Sequence, residues 1–241
     1  MRELSVALHP TLLRSGDLHG RAAAVIDLFR ATTTLCTALA AGAVAVRPFR
    51  DLAAARAAKA RMPETLLGGE RGGVRPEGFD LGNSPREYRP QTVAGRTVVL
   101  TTTNGTAAIE AAAAASPLVI ACLANLRAAC RRLLASGRPV VIVCAGIDGG
   151  PSLEDSAAAG ALVDGLTAAD PDWSPDESAL ICRELYRGMR GRLGEVLPEA
   201  RGGRNLCDIG LAEDLPVCLE VDTLDVAPVL TGRDPLEIRL G

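Results

Sequence analysis

Residues 25–34 read Val25-Ile26-Asp27-Leu28-Phe29-Arg30-Ala31-Thr32-Thr33-Thr34: an apolar run, then a carboxylate and an arginine, then an alanine- and threonine-rich segment. The apolar run predicts a strand buried on both faces, and the segment after it predicts a helix. This alternation recurs along the chain, and a strand–helix–strand order favours parallel strands covered by helices. We therefore expect an α/β protein with layered α/β/α architecture and a mostly parallel or mixed sheet.

Further elements are predicted from short apolar runs and from the helix-forming composition between them. Strands are expected at 4–8, 23–28, 43–47, 65–67, 97–100, 118–122 and 140–144, and near the end at 216–222 and 226–230. Helices are expected at 31–41, 51–61, 106–115, 126–136, 153–166 and 176–190. Residues 1–241 are expected to form a single unit, in which the proline- and aspartate-rich stretch 168–175 marks the boundary of a C-terminal subdomain.

The composition excludes several classes of protein. With 48% hydrophobic residues and a net charge of -3 in 241 residues, the chain can bury a large core, which excludes a disordered protein. No apolar run approaches the roughly 20 residues that span a bilayer, and no secretory leader is visible, so we expect a cytoplasmic protein without a membrane partner. Aromatic residues are only 2% of the chain and arginines alternate with acids, which disfavours nucleic-acid binding.

Polar clusters follow several predicted strands at their carboxyl ends, where ligands bind in open α/β sheets. In the first cluster, Asp27 offers a carboxylate to a hard cation and Arg30 offers a fork to an oxyanion. A local pair of these two residues with threonine caps is the alternative. In the second, Gly68-Gly69-Glu70-Arg71-Gly72-Gly73 lets the backbone approach a ligand, or forms a plain turn. It lacks the Gly-Lys-Ser/Thr ending of a nucleotide-binding P-loop.

Three more clusters complete the pattern. Phe79-Asp80-Leu81-Gly82-Asn83-Ser84-Pro85 carries a carboxylate and an amide, with an Asx turn as the alternative. Leu100-Thr101-Thr102-Thr103-Asn104-Gly105-Thr106 places hydroxyls and an amide at a helix start, and we interpret it as a phosphate cradle in preference to helix capping alone. In 143–155, Ser152 and Asp155 resemble a capping box, which leaves Asp148 and Glu154 as weaker functional candidates.

Several catalytic signatures are missing from the sequence. It has no Cys-x5-Arg loop, no Gly-x-Ser-x-Gly elbow and no His-Glu-x-x-His motif, and His9 and His19 lie outside every cluster. The seven cysteines are scattered without Cys-x-x-Cys spacing, which argues against a zinc site or a disulfide framework. Carboxylates, arginines and glycine-rich loops instead favour magnesium-assisted chemistry on a small anionic substrate, because Mg²⁺ prefers oxygen ligands.

Taken in order, these motifs resemble the ComB family of 2-phosphosulfolactate phosphatases. The resemblance rests on 26–33, 68–73, 78–85, 102–106 and 152–155, and it extends to Asn205-Leu206, Gly210-Leu211, Asp214 and Cys218-Leu219. It implies an α/β fold and a phosphoric monoester hydrolase that uses Mg²⁺ to convert (2R)-2-phospho-3-sulfolactate to 3-sulfolactate and phosphate, a step toward coenzyme M. Two alternatives stay open: a phosphatase of another small 2-phospho acid, and a non-catalytic binder of small phosphorylated or sulfonated acids.

The resemblance also suggests roles for individual residues. Asp27, Arg30 and Glu70 are the expected catalytic residues, and Asp27, Glu70 and Asp80 are the expected Mg²⁺ ligands. The expected substrate-binding residues are Arg71, Asn83, Thr102, Thr103, Asn104 and Gly105. An arginine-rich site with oxygen donors suits a substrate that carries phosphate, sulfonate and carboxylate groups. We favour water over a carboxylate as the nucleophile, and a homodimer as the oligomeric state.

Overall fold

The computed structural model describes residues 1–14 and 16–241. Its strands are β1 (Arg2–Ala7), β2 (Ala22–Ile26), β3 (Ala45–Pro48), β4 (Leu66–Gly69), β5 (Thr97–Thr101), β6 (Leu118–Ile120), β7 (Val140–Cys144), β8 (Trp173–Pro175), β9 (Pro228–Arg233) and β10 (Leu236–Leu240). Its helices are α1 (Ala31–Ala40), α2 (Leu52–Arg61), α3 (Pro90–Val93), α4 (Gly105–Ala112), α5 (Leu126–Ala135), α6 (Leu153–Ala169), α7 (Glu177–Met189), α8 (Leu193–Val196), α9 (Arg201–Asp208) and α10 (Asp214–Cys218).

All ten strands belong to one mixed sheet with the order β4-β5-β3-β10-β9-β6-β2-β7-β1-β8. Two groups of parallel strands, β4-β5-β3 and β6-β2-β7-β1-β8, are joined by the antiparallel hairpin of β9 and β10. Every residue of β2 and β7 is buried, as expected for strands covered by helices on both faces. The layered α/β arrangement predicted from the sequence is therefore confirmed.

The carboxyl ends of the two parallel groups of strands come together, and the functional site lies where they meet. β5 and β2 are five positions apart in the strand order, so at about 4.8 Å per strand a flat sheet would separate them by about 24 Å. Nevertheless Gly105, at the start of α4, packs against Ala31 at the start of α1: a Cβ on that glycine would lie 2.5 Å from the Ala31 Cβ. The carboxyl ends of strands from both parallel groups therefore meet.

The C-terminal part of the chain differs from the prediction. The prediction of a strand at 216–222 is wrong, because residues Asp214–Cys218 form α10. In this helix Asp214, Leu215 and Cys218 are buried at helical spacing. The strand expected at 226–230 is present but shifted to β9. Neither β8 nor β10 was predicted, since each is short and mixes polar with apolar residues.

The stretch 168–175 ends α6 and forms β8, which pairs with β1 at the edge of the sheet. The chain later returns to the middle of the same sheet through β9 and β10. In the part of the chain that the structure describes, no helix is both long and apolar enough to cross a membrane.

Candidate active site

A cavity of about 290 Å³ lies where the loops after β2, β4, β5 and β7 meet α9. Of the site residues predicted from the sequence, it is lined by Asp27, Arg30, Glu70, Asn83, Thr103 and Asn104. The polar clusters that follow separate strands are thus brought together, as the carboxyl ends of parallel strands require. The cavity also takes residues from the β7–α6 loop and from α9.

Asp27 follows β2 directly and is held by the first turn of α1. Its Oδ1 accepts a hydrogen bond from the backbone N–H of Ala31 at 3.2 Å, and the Thr32 hydroxyl bonds to both main-chain groups of Asp27. Its Oδ2 lies against Gly105, where a Cβ would come within 2.7 Å of it, so glycine is required there. Burial, with a further contribution from the neighbouring Asp155 carboxylate, raises the pKa of Asp27 to about 8.

Asp155 ties the loops after β2 and β7 together. It accepts hydrogen bonds from the backbone N–H groups of Leu28 at 2.8 Å and Gly146 at 2.9 Å. Its own N–H is capped by the Ser152 hydroxyl at 3.3 Å, which agrees with the capping interpretation of this pair. Burial raises the pKa of Asp155, and the adjacent Glu154 charge adds to the effect. Asp155 therefore has a clear structural function.

Glu154 also lines the cavity, and it differs from Asp155 in its hydrogen bonding. The residue is only 5% exposed, and among the described residues its Oε2 has no hydrogen-bond partner. Burial raises its pKa, and the Asp27 charge contributes in the same direction. A buried carboxylate oxygen without a donor is costly, so this atom is free to accept a ligand.

Glu70 is fully engaged by the protein. Its Oε1 accepts from the Thr103 N–H at 2.6 Å, and its Oε2 accepts from the Gly73 N–H at 2.7 Å and from the Thr103 hydroxyl at 3.2 Å. The carboxylate therefore joins the glycine-rich loop to the turn after β5. The loop needs glycine at position 69, where φ is +138° and a Cβ would lie 1.9 Å from the Thr101 carbonyl oxygen.

Arg30 is 2% exposed and is fixed by two acceptors. Its Nη1 donates to Asp214 Oδ2 at 2.8 Å and its Nη2 donates to the Gly73 carbonyl at 2.6 Å. The Ser84 hydroxyl donates to the other oxygen of Asp214 at 2.5 Å. The role of Asp214 was missed, because a buried arginine demands a carboxylate partner but the sequence does not say which one.

Four predicted residues do not line the cavity. Arg71 donates to the carbonyls of Glu70 and Arg50, so its guanidinium faces the back of the loop. Asp80 accepts from the Leu67 N–H at 2.8 Å and pairs with Lys59, with 42% of its side chain exposed. Two more serve α4:

Thr102 caps this helix through the Thr106 N–H at 3.1 Å, and Gly105 leaves room for Asp27. The structure thus does not bring Arg71 or Asp80 to the other candidates. Their loops turn the two side chains toward backbone carbonyls, a backbone N–H and a lysine outside the cavity. Capping, the alternative interpretation of the threonine run, is present at Thr102.

The contribution of α9 was also missed. Gly202, Asn205 and Asp208 of α9, and Ile209 directly after it, line the cavity, although no helix was predicted in this region. Two signals point to this region: the family resemblance extends to Asn205-Leu206, which line the cavity, and the Gly202-Gly203 pair inside a helix implies close packing. A Cβ on Gly202 would lie 2.1 Å from Glu154 Oε1, so this helix packs directly on the cavity wall.

Comparisons with known proteins agree on one family. A family model described as 2-phosphosulpholactate phosphatase matches residues 7–233. A protein of Symbiobacterium thermophilum named "Probable 2-phosphosulfolactate phosphatase" is 42% identical over 217 residues, which cover 89% of this chain and 93% of that protein. A protein with the same name in Deinococcus radiodurans is 43% identical over 214 residues, which cover 88% of each chain. Another in Gloeobacter violaceus is 38% identical over 237 residues, which cover 97% of this chain and 98% of that protein. Since the matched region includes every loop around the cavity, this chain belongs to the 2-phosphosulfolactate phosphatase family.

Proposed function

We propose that this phosphoric monoester hydrolase uses Mg²⁺ to convert (2R)-2-phospho-3-sulfolactate to 3-sulfolactate and phosphate, a reaction on the way to coenzyme M. The observation that carries the metal requirement is the charge of the cavity. Its lining contains six carboxylates, those of Asp27, Glu70, Asp148, Glu154, Asp155 and Asp208. Only one arginine, Arg30, lines it, and Asp214 already pairs with this residue. A substrate with phosphate, sulfonate and carboxylate groups therefore needs an added cation.

The donor atoms of the cavity fit a hard cation. Asp27 and Glu154 each present a carboxylate oxygen for which no hydrogen bond from the described residues is found. No three His, Cys, Asp or Glu side chains within residues 1–14 and 16–241 form a ready-made metal site. This arrangement suits Mg²⁺, which is commonly held by one or two carboxylates together with water and substrate phosphate. Asp80 is left out of the ligand set because it lies outside the cavity.

When bound, Mg²⁺ would neutralise phosphoryl charge and lower the pKa of a bound water. Asp27 would hold the cation at the end of β2. Arg30 keeps guanidinium N–H groups beyond the two used by Asp214 and Gly73, and these bind a phosphoryl oxygen. Asn104, which lines the cavity at the start of α4, orients the phosphate at the positive end of that helix. Thr103 gives its N–H and its hydroxyl to Glu70 and holds this turn in place. Water attacks phosphorus, and the bond from phosphorus to the C2 oxygen breaks. The proton that the water loses ends on the leaving oxygen, which becomes the C2 hydroxyl of 3-sulfolactate.

The test is phosphate release from 2-phosphosulfolactate and from a panel of 2-phospho acids that lack the sulfonate, each with Mg²⁺ and with a chelator. We expect Mg²⁺-dependent turnover that favours the sulfonated substrate. Equal turnover across the panel would keep the phosphatase but assign it another 2-phospho acid. No turnover of any substrate would overturn the proposed reaction and favour a binding protein for small phosphorylated or sulfonated acids.

A further inference from the structure

We infer that Glu154, and not Glu70, is the second protein ligand of the divalent cation beside Asp27. This inference rests on the proposed Mg²⁺ dependence, and it assigns a role to a residue that the sequence left as a weaker functional candidate. The observation behind it is the contrast between two buried glutamates that line the same cavity.

Glu70 has little capacity left for a metal. Three hydrogen bonds, from two N–H groups and one hydroxyl, reach its two carboxylate oxygens. These bonds hold the Gly73 loop against Thr103, so a cation that took over this carboxylate would have to break contacts that shape the cavity. Glu70 thus acts as a positioning residue for two loops.

Glu154 has the opposite environment. Its Oε2 is buried and has no partner among the described residues, while its neighbour Asp155 takes both nearby backbone donors. A buried, unpaired carboxylate is unfavourable in its ionised form unless a positive charge compensates it. Among the basic groups near it, Arg30 is paired with Asp214 and Arg201 with Asp148, while Arg204 lines the neighbouring cleft. None of the described residues forms an ion pair with Glu154. A divalent cation shared with Asp27 supplies the missing charge.

Helix α9 directs the Glu154 carboxylate. Glu154 lies between the main cavity and a neighbouring cleft of about 540 Å³, and it lines both. Gly202 sits against Glu154 Oε1 so closely that a Cβ would approach to 2.1 Å. The absence of a side chain at position 202 therefore gives the carboxylate its place beside the cavity. Gly202→Ala keeps the glutamate but displaces it, which makes it an independent test of the position.

The experiment measures Mg²⁺ affinity directly, by calorimetry and by the thermal shift that Mg²⁺ produces, in wild type, Glu154→Gln, Glu70→Gln and Gly202→Ala. Asp148→Asn is the matched control, because it removes one negative charge from the same cavity at an exposed position. We expect Glu154→Gln and Gly202→Ala to weaken Mg²⁺ binding by at least about 10- to 100-fold, the loss seen even for residues that only support metal ligands. Asp148→Asn should stay within about threefold of wild type, a change below 1 kcal/mol. Glu70→Gln disturbs the two loops that this carboxylate joins, so it should weaken Mg²⁺ binding, but by less than Glu154→Gln does.

The outcomes separate the two proposals. Wild-type affinity in both Glu154→Gln and Gly202→Ala would overturn the inference while leaving Mg²⁺ dependence intact, as would an equal loss in Glu70→Gln. Absence of Mg²⁺ binding and of Mg²⁺-dependent turnover in wild type would overturn both. Glutamine has nearly the shape of glutamate, so Glu154→Gln should fold; if it does not, the affinity of Gly202→Ala decides.

Discussion

The two sides of the cavity treat their carboxylates differently. On the side of β4 and β5, Glu70 accepts three hydrogen bonds and joins two loops. On the side of β2 and β7, Asp27 and Glu154 keep oxygen atoms for which the described residues provide no donor. The first side is built as a scaffold and the second as a receptor for positive charge. Within this cavity, a carboxylate oxygen left without a donor is thus a better guide to a cation site than a buried carboxylate as such.

The largest expected effect is that of Asp27→Asn. The change removes the charge that would hold the cation but keeps the size of the side chain and the bond from the Ala31 N–H. We expect kcat to fall by roughly 10²- to 10⁴-fold, the range for loss of a group that stabilises charge or transfers protons in the transition state. Steady-state kinetics together with circular dichroism check this. Wild-type turnover in a folded variant would remove Asp27 from the centre of the mechanism.

Arg30→Lys should have the next largest effect. Lysine cannot hold Asp214 and the Gly73 carbonyl in one plane while facing the substrate. Loss of one hydrogen bond to a charged group, about 1.5–3 kcal/mol, corresponds to a fall in kcat/KM of roughly 10- to 150-fold. The measurement is kcat/KM with saturating Mg²⁺. Unchanged constants would show that Arg30 has only a structural function.

A smaller effect is expected on the pH dependence of stability without metal. The pKa of Asp27 is raised from 3.8 to about 8 and that of Asp155 from 3.8 to about 7, so between these limits the folded state binds more protons than the unfolded state. Their contribution to stability is therefore lost as pH rises through this window. We expect the metal-free protein to melt at a higher temperature at about pH 5.5 than at about pH 8.5. Added Mg²⁺ should reduce this difference in melting temperature.

Asp27→Asn provides the control for that measurement. Asparagine does not titrate, so the variant should show a weaker pH dependence and, at the higher pH, a higher melting temperature than metal-free wild type. An identical pH profile in the variant would mean that the charge on Asp27 carries no cost in the folded state. Differential scanning calorimetry in the presence of a chelator distinguishes these results.

The smallest effect should come from Asp80→Asn. This carboxylate lies outside the cavity, pairs with Lys59 and is 42% exposed. Its removal should lower the free energy of unfolding by about 1 kcal/mol or less and leave kcat within about twofold of wild type. Urea unfolding and kinetics under the same conditions give both numbers. A large fall in kcat would return Asp80 to the set of metal ligands and weaken the contrast between the two sides.

The sequence predicted the local structure well and the pairing of distant residues poorly. Strand periodicity located β2, β5 and β7, and the rule for carboxyl ends of strands brought Asp27 and Thr103 to one place. The partner of Arg30 lies 184 residues away, and nothing in the local pattern selects it. At the start of α6, the capping-box resemblance of Ser152 and Asp155 left Glu154 as a functional candidate but did not show how its carboxylate is surrounded. Only the three-dimensional arrangement of backbone donors shows that Asp155 is satisfied and Glu154 is not.

The position of the β9–β10 hairpin has a consequence for biosynthesis. These strands, between residues 228 and 240, fill the centre of the sheet between β3 and β6. A nascent chain that has reached only residue 227 therefore exposes two open strand edges, which are sites for pairing with other chains. Contacts between residues far apart in sequence also slow folding. The edges of β3 and β6 are thus covered late in translation, after Asp214 in α10 has been synthesised and can pair with Arg30. Chaperones that shield strand edges would therefore act on this chain before its sheet is complete.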